Sequence, residues 1–239
     1  MSQQVFRFKQ FTLDQTNAPF KLCQDTCILG ASTRNEILNP YKILDIGTGT
    51  GVLALMQAQL FKEAQIDAIE INPQAARIAK SNFSASPWSS RFNLHQLSFQ
   101  DYISQHPALY DLIICNPPFY QGQLLSTQYQ KNLAKHQLEL DFSTLLKGVH
   151  QLLKPNGVFF CLISAFKKSD FDLQLREYNL HINKIWSVTH KPDMPVQRLV
   201  YSISRKSMRK MEHILYIKNA DGDFTSEMKQ LLKDFYLKF

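Results

Sequence analysis

The chain has 239 residues and a formal charge of +7, with 44% hydrophobic and 20% charged residues. That length suits one α/β domain with some decoration and its own core, and two full domains would be cramped. The longest apolar runs, such as 157–165, are strand-sized and too short to cross a membrane, and residues 1–5 lack the charged and apolar regions of a secretory leader, so a cytoplasmic protein is expected.

In chain order, Phe6, Phe8 and Phe11 alternate with polar residues over 5–13, the pattern of a short hairpin or extended arm. A helix is expected to start near Asp25, where Cys27, Ile28 and Leu29 follow. The body then alternates: strand 42–46, helix 52–61, strand 67–71, helix 73–83 opened by a proline, strand 93–97 and strand 110–115. Residues 141–153 carry apolar side chains at helical spacing, and Lys154-Pro155-Asn156-Gly157 reads as a turn before the buried strand 158–164. A helix over 168–178 leads to a closing strand pair, 182–189 and 199–204. Extended chain over 212–217 and a last helix over 225–237 finish the sequence. This alternation predicts a mostly parallel sheet covered on both faces. The late pair, joined without a helix, predicts an antiparallel strand at one edge. One domain is expected over 1–239, with an arm or cap over 1–40, a cofactor-binding core over 41–206 and a closing strand and helix over 207–239.

Cys23, Cys27, Cys115 and Cys161 form no CxxC pair and no histidine cluster accompanies them, so no metal site is expected. They read as small buried apolar side chains, with a Cys23–Cys27 redox pair as the lesser alternative. The pI of about 9.2 favours a polyanionic partner. Arg198, Arg205, Lys206, Arg209 and Lys210 crowd one late stretch, and Lys167 and Lys168 follow a predicted strand. These read equally as a phosphate-binding surface and as a solvated face.

Asp45-Ile46-Gly47-Thr48-Gly49-Thr50-Gly51 ends the first core strand and opens its helix. Glycines allow a tight turn and close approach of a ligand, and the helix-start amides favour a carboxylate or phosphate. Glu70 stands one strand later, where an acid binds a ribose hydroxyl pair. Together they indicate an adenosine-containing ligand. Val52 departs from the dinucleotide glycine pattern, and Asp45 favours an amino or sulfonium group. After the third strand, Asp101 is placed to accept from an adenine amino group while Phe99 covers a ring face, or else Asp101 caps the next helix. Asn116-Pro117-Pro118-Phe119 ends the fourth strand. An exocyclic base amine is a poor nucleophile because its lone pair is delocalised into the ring. Acceptance of its two N–H bonds by the Asn116 side-chain oxygen and the Pro117 carbonyl frees that lone pair, and Phe119 stacks on the base.

Glycine turn, second-strand acid and NPPF together resemble the class I S-adenosylmethionine-dependent methyltransferases that act on planar nitrogens. Further marks resemble one bacterial group, the tRNA1(Val) adenine N6-methyltransferases, which modify the adenine at tRNA position 37. The marks are 6–11, 21–25, Ala134-Lys135-His136, Lys191-Pro192-Asp193-Met194-Pro195 with Arg198, 216–219 and 234–237, nearly the whole chain. Phe119 stands where many relatives carry Tyr. The resemblance implies a Rossmann-like, seven-stranded sheet of order 3-2-1-4-5-7-6 with strand 7 antiparallel, flanked by helices. It also places Gln24 and Asp25 near the methionine end of the cofactor. The expected cofactor set is Gln24, Asp25, Asp45, Gly47, Gly49, Gly51, Glu70, Ile71, Asn72, Phe99, Gln100, Asp101 and Asn116. The expected catalytic set is Asn116, Pro117, Pro118 and Phe119. Lys135, His136, Lys167, Lys168, Arg198, Arg205 and Lys206 are candidate RNA contacts. The alternatives are another planar acceptor (release-factor glutamine, rRNA guanine N2 or DNA adenine N6) or a non-catalytic RNA-binding protein with this fold.

Overall fold

The computed structural model describes residues 4–34, 36–105, 108–117 and 140–239. Strands β1 (Val5–Arg7) and β2 (Thr12–Asp14) form an antiparallel hairpin, followed by α1 (Gln24–Ser32). Then come β3 (Lys42–Ile46), α2 (Val52–Leu60), β4 (Gln65–Ile69), α3 (Pro73–Ala85), β5 (Phe92–His95), α4 (Phe99–Gln105) and β6 (Tyr110–Cys115). After them run α5 (Phe142–Leu152), β7 (Leu153–Ser164), α6 (Lys168–Glu177), β8 (His181–Thr189), β9 (Arg198–Ser204), β10 (Met211–Tyr216) and α7 (Ser226–Leu232).

The large sheet runs β10-β8-β9-β7-β6-β3-β4-β5. From β5 to β8 this is the order 3-2-1-4-5-7-6, with β9 antiparallel to both β7 and β8. Among the described residues the sheet has eight strands, not seven, because β10 extends it by pairing parallel to β8. Strand interiors are apolar on both faces, as a sheet sandwiched between helices requires. Alternate residues serve opposite layers. Ile43, Leu112, Ile114, Phe160 and Leu162 join one core with α1, α2 and α7. Leu44, Ile113, Cys115, Phe159 and Cys161 join the other, with residues of α4, α5 and α6.

The predicted turn at 154–157 is instead part of β7. Tyr110 faces Leu153 but Leu112 faces Val158, so the extra residues bulge out within one strand. The last helix is shorter than expected. Its apolar spacing continues through Phe235 and Tyr236 because those side chains pack on the N-terminal hairpin. There Lys9 N donates to Phe235 O at 2.8 Å and Phe8 bridges Tyr236. All four cysteines are free; Cys27, Cys115 and Cys161 are buried, while Cys23 is exposed, unlike the expectation.

Candidate methyl-transfer site

The chain steps from β3 outward to β4 and β5, then crosses back to β6 on the other side of β3. The crevice beyond the carboxyl ends of β3 and β6 is therefore the topological switch point, where open α/β sheets bind ligands.

The glycine turn lies at the end of β3. Gly47, Gly49 and Gly51 all have positive φ, +69°, +59° and +88°. Their duties differ. Among the described residues a Cβ on Gly47 or Gly49 meets nothing within 4 Å, whereas one on Gly51 sits 2.6 Å from the Phe83 ring. Gly51 thus serves the packing of α2 against α3.

Asp45 is fully buried. Its Oδ2 accepts from Thr48 Oγ1 at 2.6 Å and from Ala54 N at 3.1 Å. Its buried Oδ1 has no hydrogen-bond partner among the described residues. Burial pushes the carboxyl up to about 7 despite those two donors. A buried acceptor left open beside a ligand crevice fits a ligand carrying a donor or a positive charge. Glu70 follows β4, and its pKa is also raised by burial. Its Oε2 accepts from Gly49 N at 2.9 Å and Oε1 from Asn72 N at 2.7 Å, so one carboxylate ties the glycine turn to the next loop. Ile71 beside it is an exposed apolar side chain. Asn72 is the N-cap of α3, with Oδ1 accepting from Gln74 N and Ala75 N.

After β5 one expectation needs correction. The cap of α4 is Ser98, not Asp101. Ser98 Oγ accepts from Asp101 N at 3.0 Å and donates to Asp101 Oδ2 at 2.6 Å. Phe99 is buried in the core, and its ring stands where a Cβ on Gly148 would come within 2.5 Å, so α5 covers it. Gln100 and Asp101 remain exposed.

At the end of β6, Asn116 Nδ2 donates to Thr26 Oγ1 of α1 at 2.8 Å, while Asn116 Oδ1 is buried without a hydrogen-bond partner among the described residues. One end of the carboxamide is anchored and the other is offered, next to the buried Pro117. Thr26 was not legible as a site residue in the sequence. Pro118, Phe119, Lys135 and His136 lie outside the described residues. Asp25, one residue before Thr26, has its carboxylate 3.3 Å from Arg198 Nε. Burial raises the Asp25 pKa, and the Arg198 charge opposes that rise.

The candidate RNA contacts are divided between the two ends of the sheet. Arg198 pairs with Ser164 at the end of β7, on the site side, but Ser204 pairs with Val158, six residues back along that strand. Six residues of strand, roughly 20 Å, therefore separate Arg198 from Arg205 and Lys206. Those two serve the bulge instead: Arg205 Nη1 donates to Leu153 O at 3.2 Å and Lys206 Nζ to Asn156 Oδ1 at 2.5 Å. Arg198 itself is engaged by Asp25. Lys167 and Lys168 stay on the site side, Lys168 in an ion pair with Asp172. Among the described residues, no group of three or more His, Cys, Asp or Glu side chains is arranged to hold a metal, and no helix is long and apolar enough to cross a membrane.

A glycine turn at the β3–β6 switch point, with a buried acid below it and a buried amide at the end of β6, is the arrangement of a class I S-adenosylmethionine-dependent methyltransferase, and this chain is one. A crystal structure of a predicted O-methyltransferase from Agrobacterium tumefaciens has the same fold, with a TM-score of 0.67 at 14% identity over 88% of this chain and 96% of that one. Residues 29–176 match the methyltransferase small domain family. The chain is 37% identical, over 99% of both lengths, to the tRNA1(Val) (adenine(37)-N6)-methyltransferase of Cytophaga hutchinsonii. It is 39% identical to that of Dyadobacter fermentans over 98% of both. It belongs to the tRNA1(Val) (adenine(37)-N6)-methyltransferase family.

Proposed function

We propose that the protein methylates the N6 amine of the adenine at position 37 in the anticodon loop of tRNA1(Val), acting in the cytoplasm. The single observation that carries this reading is Asn116 at the end of β6, whose anchored amide leaves a buried oxygen without a hydrogen-bond partner among the described residues. The names of its relatives supply the acceptor.

Asp45 Oδ1, the face over Gly47 and Gly49, Glu70, Ile71 and Asp25 fit S-adenosylmethionine. When bound, that cofactor supplies an electrophilic methyl group on a sulfonium. The Glu70 carboxylate has lone pairs to spare for a ribose diol beyond the two amides it already accepts. Asp45 answers the cationic end, and Asp25, held by Arg198, faces the methionine end. Asn116 Oδ1 and the Pro117 carbonyl accept the two N–H bonds of the adenine amine and draw its lone pair out of the ring. Phe119 is the expected ring for stacking on that base, worth roughly 1–3 kcal/mol. The amine becomes strongly acidic only after methylation, so no strong general base is required. A base in a loop is cheaper to extrude than one in a duplex.

The test is Asn116→Ala with labelled cofactor and unmodified tRNA, digested to nucleosides. The expected outcome is label in N6-methyladenosine for the unaltered protein, none for the variant, and cofactor affinity nearly the same in both by calorimetry. Loss of cofactor binding in the variant overturns the role given to Asn116. Label only in protein, rRNA or DNA overturns the acceptor.

A further inference from the structure

Phe166 is 100% exposed, the most exposed aromatic side chain among the described residues; the next is Tyr41 at 57%. A lone exposed apolar residue is ordinary on a protein surface. The position of this one is not. It lies in the short helical turn Ala165–Lys167 that leaves β7 at the site end of the sheet. Ala165 N donates to Gln197 O at 3.0 Å, which joins this turn to the loop carrying the exposed Val196 and Met194. Lys167 follows Phe166 directly and makes no ion pair among the described residues, whereas Lys168 is taken by Asp172.

The register sets the distance to the reaction. Cys115 pairs with Cys161 on the neighbouring strand, so Asn116 stands level with Leu162. Phe166 is four residues beyond, roughly 10–15 Å at strand rise and less through the turn. That is the reach of the nucleotides flanking an extruded base.

We propose that Phe166, with Lys167 beside it, is the stacking platform for an unpaired base next to the methylated adenine, Lys167 meeting the adjoining phosphate. This rests on the tRNA reading above and adds to it the surface that holds the loop. An exposed ring flanked by a cation is how single-stranded nucleic acid is held, with a π-face for any base and charge for the backbone. Protein interfaces select against lysine, which disfavours a protein occupant. A duplex offers no unpaired base to the ring, so the platform selects a loop.

The test measures initial rates of tRNA methylation for the unaltered protein, Phe166→Ala, Phe166→Trp and Lys167→Ala across a salt series, with cofactor affinity and melting curves for each. Phe166→Ala is expected to raise KM for tRNA at least about fivefold, the low end of the stacking range, with unchanged cofactor affinity and melting. Phe166→Trp is expected to stay within about twofold of the unaltered protein, since stacking survives. Lys167→Ala is expected to lower the salt dependence of KM by about one phosphate contact. A KM for Phe166→Ala within about twofold of an unaltered protein that methylates tRNA overturns the platform alone. An unaltered protein that labels no tRNA overturns the tRNA reading and the platform with it.

Discussion

Thr26→Val removes the hydroxyl that anchors Asn116 while keeping the shape and branching of the side chain. In the structure one bond, Asn116 Nδ2 to Thr26 Oγ1 at 2.8 Å, fixes which end of the carboxamide faces the crevice. The torsion that exchanges the two ends is broad and roughly two-fold, so the backbone alone does not decide it. A neutral hydrogen bond contributes about 0.5–1.5 kcal/mol net. If that energy selects the productive amide orientation, its loss lowers kcat by roughly 2- to 13-fold. KM for the cofactor is expected to stay within about twofold, because Asp45 and Glu70 are untouched. Thr26→Ser keeps the hydroxyl and is expected to restore most of the rate. The assay is single-turnover methylation at saturating tRNA and cofactor, with melting curves to confirm folding. An unchanged single-turnover rate for Thr26→Val, in a protein that Asn116→Ala inactivates, would refute the anchoring role.

Two further outcomes follow from the cofactor side. Burial holds the Asp45 carboxyl up near 7, and a cationic or donating ligand beside Oδ1 favours the charged form, so binding lowers that pKa and releases a proton. Affinity should therefore rise with pH up to about 7, by at most about tenfold per unit, and then level off. Asp45→Asn should flatten that profile in calorimetry, and an unchanged slope in the variant would sink the assignment. The glycines should separate by phenotype. Gly51→Ala combines left-handed strain of roughly 1–2 kcal/mol with a Cβ 2.6 Å from Phe83, so its melting temperature should fall clearly. Gly49→Ala has the strain without the clash and should lose cofactor affinity more than stability; equal melting losses with intact binding in both would contradict the division.

The sheet was legible because its strands are apolar on both faces and its turns are marked by Gly47, Gly49, Pro73 and Asn116. These are local signals, and the elements they mark moved by only a residue or two. What stayed hidden depends on pairing at a distance. Thr26 and Asn116 are 90 residues apart and carry no shared pattern. Phe99 looked available for a ligand ring because nothing local shows that Gly148 leaves a hole for it. The basic stretch from Arg198 to Lys210 looked like one patch, yet a strand carries its charges away from each other at about 3.3 Å per residue. Its two ends serve opposite rims of the sheet. Asp101 was the cap read from the sequence, and only the backbone shows that Ser98 holds it.

The reversal of β9 also explains how the site is assembled. Because β9 runs antiparallel to β7, its first residue, Arg198, returns to the rim where the parallel strands end. There it meets Asp25 in the first turn of α1. The next residue along that turn, Thr26, points about 100° away around the helix and meets Asn116 at the end of β6. One helical turn is thus pinned to two strand ends, with β7 between them. In the proposed function Asp25 lies on the cofactor side and Thr26 on the acceptor side, so a shift of α1 on cofactor binding would move the anchor of Asn116 as well. The amide proposed to present the adenine amine is thus held by the same helical turn as the carboxylate proposed to meet the methyl donor.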